Sequence, residues 1–559
     1  MNDLERAIEF LQKGQLGQAE QLLVKIVDSE PRNFDASHML GVLYSKQKKY
    51  GAAENLFRKS TDIDPSYPPL YQNYGLLLAE LMRFEEAIEK FNIAIRLAPA
   101  FPPLYSDRGN AFKELGQLDK ALADQDHAIR LAPQFFGFYN NRGNVLISLK
   151  KYDKALIDFD RAASINPNFA NAHCGRGDVL YALKRYDDAL AAYNQTLAID
   201  RNFEGAWLGR GNVFSALHRD AEALQCYDKA IDLRQDFSDA HLNKALLKLS
   251  LGEYKEGWEL HEWRWKTDPS LRHRNFIQPL WLNDSDIGGK TLLVHAEQGL
   301  GDTIQFSRYL QFLMDTGSRI VFEIQKPLVS LFQAQRWNCE VVAQGDPLPV
   351  FDLHCPLLSL PLAFQTTVET IPGKVPYLDT PQSASGVADL AGQSTKPKIG
   401  IAWSGNPNFA RGSDTSRPIP LSALSSIMIE QNEWYRLQTD LRDTDSATLN
   451  NLPFIKDFST LLKDFSDTAT LVDRLDLIIS IDTSVAHLAG AMGKPVWVLL
   501  SFNPDFRWLR HRTDSPWYPT ARLYRQSKDG DWTDVLESVT NDLRTVFMPK
   551  DRRTGPARS

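Results

Sequence analysis

Cysteine is scarce in this chain: four in 559 residues, at 174, 226, 339 and 355, with no two at a metal-ligand spacing. That excludes a disulfide-stapled scaffold and a cysteine zinc site, and thiols lying in helical sequence point to a reducing compartment. No apolar run reaches the ~18 residues that a membrane-crossing helix needs. The N-terminus is amphipathic from the start, without the basic beginning and apolar stretch of a signal peptide, so a cytoplasmic location is expected. Dense Lys/Arg blocks are missing and the formal net charge is −7, which argues against a general binder of nucleic acid or anionic membrane. No acidic metal-binding pair stands out, and no metal is expected. A chain this long cannot surround one core, so two or three domains are expected.

What the sequence has is a beat. Proline recurs at 31, 65, 99, 133 and 167, and again at 269, always at 34 residues or a multiple of it. The skipped beats fall on Arg201 and Gln235. Gly41, Gly75, Gly109, Gly143, Gly177 and Gly211 keep the same time, as do Ala19, Ala53, Ala87, Ala121, Ala155, Ala189 and Ala223. A fixed period of this length means stacked units, each unable to bury its apolar face alone. Phe84, Ala87 and Phe91 lie on one helical face, and Tyr152, Ala155 and Phe159 repeat the arrangement. The motif resembles the tetratricopeptide repeat, two antiparallel helices closed by a proline. Seven full units cover residues 1–237. An eighth, over 238–269, departs from the pattern with Gly257, Trp258, Trp263, Arg264 and Trp265, as a terminal cap joining another surface would.

After Pro269 the helical period ends. Residues 270–289 read as a polar connector, and strand-like runs then alternate with helix-length segments, the pattern of a parallel sheet with crossover helices. One series runs through Thr291–His295, Arg319–Ile324, Cys339–Val342 and Phe351–Leu353. A Ser/Gly/Gln/Pro-rich break at Thr380–Pro397 separates it from Lys398–Trp403, Trp434–Leu437, Leu477–Ile481 and Val496–Leu500. The expected organisation is a repeat superhelix (1–269), a connector (270–289), a first Rossmann-like half (290–392), a second (393–548) and a disordered basic tail (549–559).

Open parallel sheets bind ligands at the carboxyl ends of their strands. The first loop there, Ala296-Glu297-Gln298-Gly299-Leu300-Gly301-Asp302-Thr303, has glycines for a tight turn and close ligand approach. Asp302 also suits a helix cap. A second loop delivers Asp482, Thr483 and Ser484 to a helix start, with His487 one turn inside. Hydroxyls, backbone N–H groups and an imidazole converge there, as a diphosphate site requires, although capping and helix packing would use the same residues. Trp403-Ser404-Gly405-Asn406-Pro407 leads to Arg411 and Arg417, which could reach a phosphate. Arg507-Trp508-Leu509-Arg510 with Asp514–Tyr518 suits a sugar or nucleotide wall, or domain packing.

Taken in order, these loops resemble the heptosyltransferase family of two-domain, GT-B-fold glycosyltransferases. Residues 299–302 match its Gly-Leu-Gly-Asp-like loop and 482–487 its Asp-Thr-x-x-x-His helix start. The resemblance implies an α-solenoid of tetratricopeptide repeats followed by a GT-B-like α/β domain of two Rossmann-like halves. It implies inverting, metal-independent transfer from a nucleotide-sugar, without a further cofactor. Asp302 would be the general base. Gly299, Gly301, Arg417, Asp482, Thr483, Ser484 and His487 would border the donor. The sequence departs from the family in a short first half and in Thr439-Asp440 after Gln438, with no nearby lysine. Repeats joined to a transferase also resemble the protein O-GlcNAc transferases in architecture, but not in active-site motifs.

Asn110, Asn144, Asp178 and Asn212 occupy one position of successive units and form a ladder; by resemblance that position lines the concave groove. Asn73, Asp107, Asn141 and Asn243 make a second, interrupted row. Amides that donate and accept suit an extended peptide backbone, and they equally suit ties between helices. The reading is a glycosyltransferase acting on an acceptor, protein or glycan precursor, recruited by the repeats. The alternatives are a non-catalytic scaffold and a nucleotide-sugar sensor.

Overall fold

The computed structural model describes residues 2–267, 274, 276–381, 395–405 and 417–547. Pro269, most of the Thr380–Pro397 break, Asn406, Pro407, Arg411 and the 549–559 tail therefore lie outside the described residues. The chain divides into two compact units, Met1–Arg234 and Gln235–Ser559.

Among the described residues the first unit holds fourteen helices in seven hairpins, from Asp3–Gln12 with Leu16–Ser29 to Glu204–Ala216 with Asp220–Leu233. The turn inside each hairpin uses one residue with positive φ: Gly14, Lys48, Met82, Gly116, Lys150, Lys184 and His218. These too are 34 apart, yet only two are glycine, so the hairpin geometry overrides the usual cost of that conformation. The glycine of the repeat has a different task. A Cβ at Gly177 would sit 2.6 Å from the Tyr193 ring of the following helix, and one at Gly75 would sit 2.5 Å from Phe91. The helices can cross this closely only without a side chain there.

The carbonyl on the proline beat anchors the next helix. Tyr105 donates to the carbonyl of Pro99 at 2.9 Å and Tyr139 to that of Pro133 at 3.1 Å. His173 makes the same contact with Pro167, and Trp207 makes it with Arg201 at 3.0 Å. Any residue supplies a carbonyl, so the register survives where proline does not.

The second unit has two all-parallel sheets. The first is ordered β3-β2-β1-β4, with β1 Thr291–His295, β2 Arg319–Ile324, β3 Cys339–Ala343 and β4 Leu353–Pro356. The second is ordered β10-β9-β8-β5-β6-β7. Its strands are β5 Lys398–Ala402, β6 Glu433–Arg436, β7 Ile455–Asp457, β8 Leu477–Ile481, β9 Val496–Leu500 and β10 Ala521–Arg525. The edge strands β7 and β10 were not anticipated: the first is three residues long, and the second is interrupted by Arg522 and ends on Arg525. The connector is less polar than its composition suggests, because Trp281 is buried and Leu280 bridges to His354 in β4.

Helices Ser238–Leu251 and Tyr254–His261, read from sequence as the last repeat, are part of this second unit. Tyr254 and Trp258 join the apolar core that contains Leu292 of β1 and Ile478 of β8. The Trp517 indole donates to the Tyr254 hydroxyl at 3.1 Å, and the Arg510 amide donates to the Ser250 carbonyl at 2.8 Å. Trp258, on the beat where earlier units carry Ile88, Leu122, Leu156, Leu190 and Leu224, makes this hairpin a core element of the α/β unit.

Candidate functional site

The two loops singled out in the sequence meet. The first follows β1, where Gly299 is the N-cap of helix Leu300–Phe306. The second follows β8, where Thr483 is the N-cap of helix Ser484–Ala491. A Cβ at Gly301 would lie 2.7 Å from His487 Cδ2 and 3.5 Å from the Ser484 Cα. Glycine at 301 is what lets the two helix starts approach. Thr483 makes no capping bond through its side chain, and its hydroxyl lies 2.9 Å from that of Ser480. Capping therefore does not explain the hydroxyl of Thr483.

Asp302 stands at the third helical position rather than at the cap. One carboxylate oxygen accepts the Gly299 N–H at 2.8 Å, and the other receives the Arg507 guanidinium. Arg507 also donates to Asp505 at 2.6 Å and stacks against Phe506. Burial opposes the charge on Arg507, but the Asp302 and Asp505 carboxylates outweigh it and hold the guanidinium firmly protonated. His487 is buried, with Nδ1 3.0 Å from the Tyr518 hydroxyl and its ring stacked on Trp508 at 5.3 Å. Its Nε2 lies 3.7 Å from Asp482, whose other oxygen is 3.6 Å from Arg417. Burial by itself would push the Asp482 carboxyl up. His487, the Arg417 charge and the nearby Trp508 indole together hold it well below the usual carboxylate range. The site thus gathers three carboxylates, two guanidinium groups and an imidazole at the carboxyl ends of facing strands.

Arg507 and Trp508 were legible only as a wall. Their place after β9, the strand beside β8, is the signal that assigns them to the site. The missing lysine after Gln438 is matched by a structural use of that segment: the Gln438 side-chain Oε1 accepts the Trp403 and Ser404 backbone amides at 2.8 and 3.0 Å. The glycine loop is buttressed from the Tyr254 hairpin. Arg264, buried and beyond that hairpin, donates to Glu297 and Ser359, each at 2.8 Å, and also pairs with Glu262. Burial pushes the Glu297 carboxyl up to about 7, against the pull of Arg264.

In the repeats, Asn110 accepts from Gln125 at 3.1 Å, Asp178 from Tyr193 at 2.8 Å and Asn212 from Tyr227 at 3.1 Å. Each donor lies on the second helix of the same unit, fifteen residues on. In the Asn144 unit that position is Phe159, which has no donor. The second row does tie units together: Gln72 donates to Asp107 at 2.7 Å and Asn141 to Ser106 at 3.0 Å. Asn73 lies 3.1 Å from His38 in the same relation. A further stitch was not anticipated. Arg142 forks onto Asp158 of its own unit and reaches Asp126 of the one before.

Family models of the tetratricopeptide repeat match residues 10–81, 102–135, 138–169 and 177–218. The first unit is built of tetratricopeptide repeats. The chain is also similar to the protein FlbA of Caulobacter vibrioides, 24% identical over 326 residues. That match covers 54% of this chain and 54% of FlbA, so the chain spans about half the length of the curated relative it matches. Among solved structures, a tetratricopeptide repeat protein of Parabacteroides merdae superposes with a TM-score of 0.41 at 19% identity, over 44% of this chain and 97% of that one. YrrB, a tetratricopeptide protein with an unusual peptide-binding site, gives 0.26 at 24% identity over 33% of this chain and 95% of that one. Yeast Tom70 gives 0.38 at 18% identity over 45% and 55%. Among the described residues no helix is long and apolar enough to cross a membrane, and no cluster of His, Cys, Asp and Glu could hold a metal ion.

Proposed function

We propose that the second unit is a glycosyltransferase that takes a sugar from a nucleotide-sugar, and that the tetratricopeptide repeats recruit the acceptor. The observation that carries this is the meeting of the two helix starts that bear Asp302 and His487, which follow strands of two different parallel sheets, with Gly301 against His487 making room. In this reading the diphosphate lies at the start of helix Ser484–Ala491, bordered by Asp482, Thr483, Ser484, His487 and Arg417. Asp302 takes the proton of the acceptor hydroxyl as the new bond to the sugar carbon forms. The bond to the diphosphate breaks with its electron pair going to the leaving phosphate. A panel of nucleotide-sugars is expected to contain at least one that raises the melting temperature, since a ligand that binds only the folded state stabilises it. A flat panel would reject the reading.

A second reading, a nucleotide-sugar sensor without transfer, is favoured by the two partners already on Asp302. A single-turnover transfer assay with the stabilising donor separates the two.

For the acceptor, the fixed amides of the ladder support recognition of an extended peptide. With its oxygen engaged by Gln125, Asn110 is oriented to present its N–H₂ group. Replacing Asn110, Asn144 and Asn212 together by alanine is expected to weaken acceptor binding at least tenfold, each lost bond contributing about 0.5–1.5 kcal/mol. Nucleotide-sugar binding should not change. Calorimetry with each ligand checks both, and an unchanged acceptor affinity would leave the ladder as a tie between helices.

A further inference from the structure

Arg507 holds the carboxylate that the proposed reaction needs. Its guanidinium lies between Asp302, at the start of the helix after β1, and Asp505, on the loop after β9. Its Nε is buried without an acceptor, and the indole N–H of the neighbouring Trp508, a side chain only 1% exposed, makes no hydrogen bond of good geometry although the Asp482 carboxylate lies near it. Buried donors without partners are costly. Trp508 stacks on His487 in the first turns of helix Ser484–Ala491, and Arg507 is near enough to Asp482, just ahead of that helix, to feel its charge. A ligand with several anionic oxygens would satisfy these donors. It would also offer Arg507 a stronger partner than Asp302, which takes a single guanidinium nitrogen, because a guanidinium fork matches phosphate oxygens bidentately.

We propose that Arg507 is a diphosphate-binding residue whose departure from Asp302 unmasks the base, so that proton abstraction becomes available only once the donor is bound. This rests on the transferase reading above. Asp302 and the diphosphate then compete for one cation, and that competition has a thermodynamic signature. A ligand that must first break the Arg507–Asp302 pair binds more weakly by the cost of breaking it. Asp302→Asn removes the competitor while keeping an oxygen for the Gly299 N–H. It should therefore tighten nucleoside diphosphate binding, although it removes a residue of the site.

The experiment is calorimetry of the full-length protein with uridine, guanosine, adenosine, cytidine and thymidine diphosphates. It uses wild type, Asp302→Asn, Arg507→Gln and the double variant. Arg507→Gln should weaken binding by roughly tenfold or more, as the loss of a charge-assisted contact implies. Asp302→Asn should tighten binding by about three- to tenfold with Arg507 present, and the gain should vanish in the Arg507→Gln background. A gain of equal size in both backgrounds would mean simple relief of charge repulsion and would overturn the proposal. So would an Asp302→Asn affinity at or below wild type, or an Arg507→Gln affinity equal to it. Arg507→Lys, which keeps the charge but not the fork, takes the place of glutamine if that variant does not fold. Wild-type protein that binds none of the five would reject the transferase reading itself, a result distinct from the others.

Discussion

Asp302→Asn is expected to slow sugar transfer by ~10²–10⁴-fold, the range a positioned general base contributes. A sugar or side-chain hydroxyl is a poor nucleophile at neutral pH, and an amide cannot take its proton. The substitution is mild for the fold: asparagine keeps an oxygen for the Gly299 N–H, the bond that closes the start of helix Leu300–Phe306. Single-turnover transfer with saturating donor isolates the chemical step from binding. A wild-type rate would make Asp302 a helix-start residue and an interloop tie. His487→Ala should behave differently, losing donor and product affinity more than the rate at saturation. Its ring buttresses Trp508 and faces Asp482 rather than the base.

The largest expected effect on stability lies away from the chemistry, at Arg264. Its side chain is buried with Glu297, Glu262 and Ser359, so truncation leaves an unpaired carboxylate in the interior. Breaking one partner out of such a buried pair costs about 3–5 kcal/mol. Arg264→Met should lower the urea midpoint of the second unit accordingly. The double change with Glu297→Gln should recover much of the loss, because it removes the stranded charge.

The pH dependence follows from Glu297. Its carboxyl is raised by burial to about 7 from the ordinary 4.5. The folded protein therefore holds a proton that the unfolded chain has released, and stability falls as pH rises through that interval. Without Arg264 the carboxyl rises further, so the variant should continue to lose stability between pH 7 and 9, where the wild type has levelled off. His261, beside Arg264, is held well below its ordinary value, first by burial and then by the neighbouring arginines, and stays neutral in that window. A deficit that shrinks at higher pH would show that Arg264 does not serve Glu297.

The 34-residue beat determined the repeat unit, its helix hairpins and the close crossing at each glycine. These are local relations that recur at fixed separation, so one dimension suffices to see them. Alternating apolar runs likewise showed parallel strands, and two loop motifs marked the strand ends that matter. The boundary was a different matter. Trp258 and Arg264 announced that the last hairpin was atypical, yet only packing shows that it belongs to the core and network of the α/β unit, because no local pattern states which surface buries a tryptophan. The pairing of Asp302 with Arg507 was equally hidden. The two are distant in sequence, and which loops face each other depends on strand order and on helix starts brought together by Gly301 and His487. Local periodicity is written along the chain; which charges become neighbours across two sheets is decided only when both sheets close around a shared apolar core.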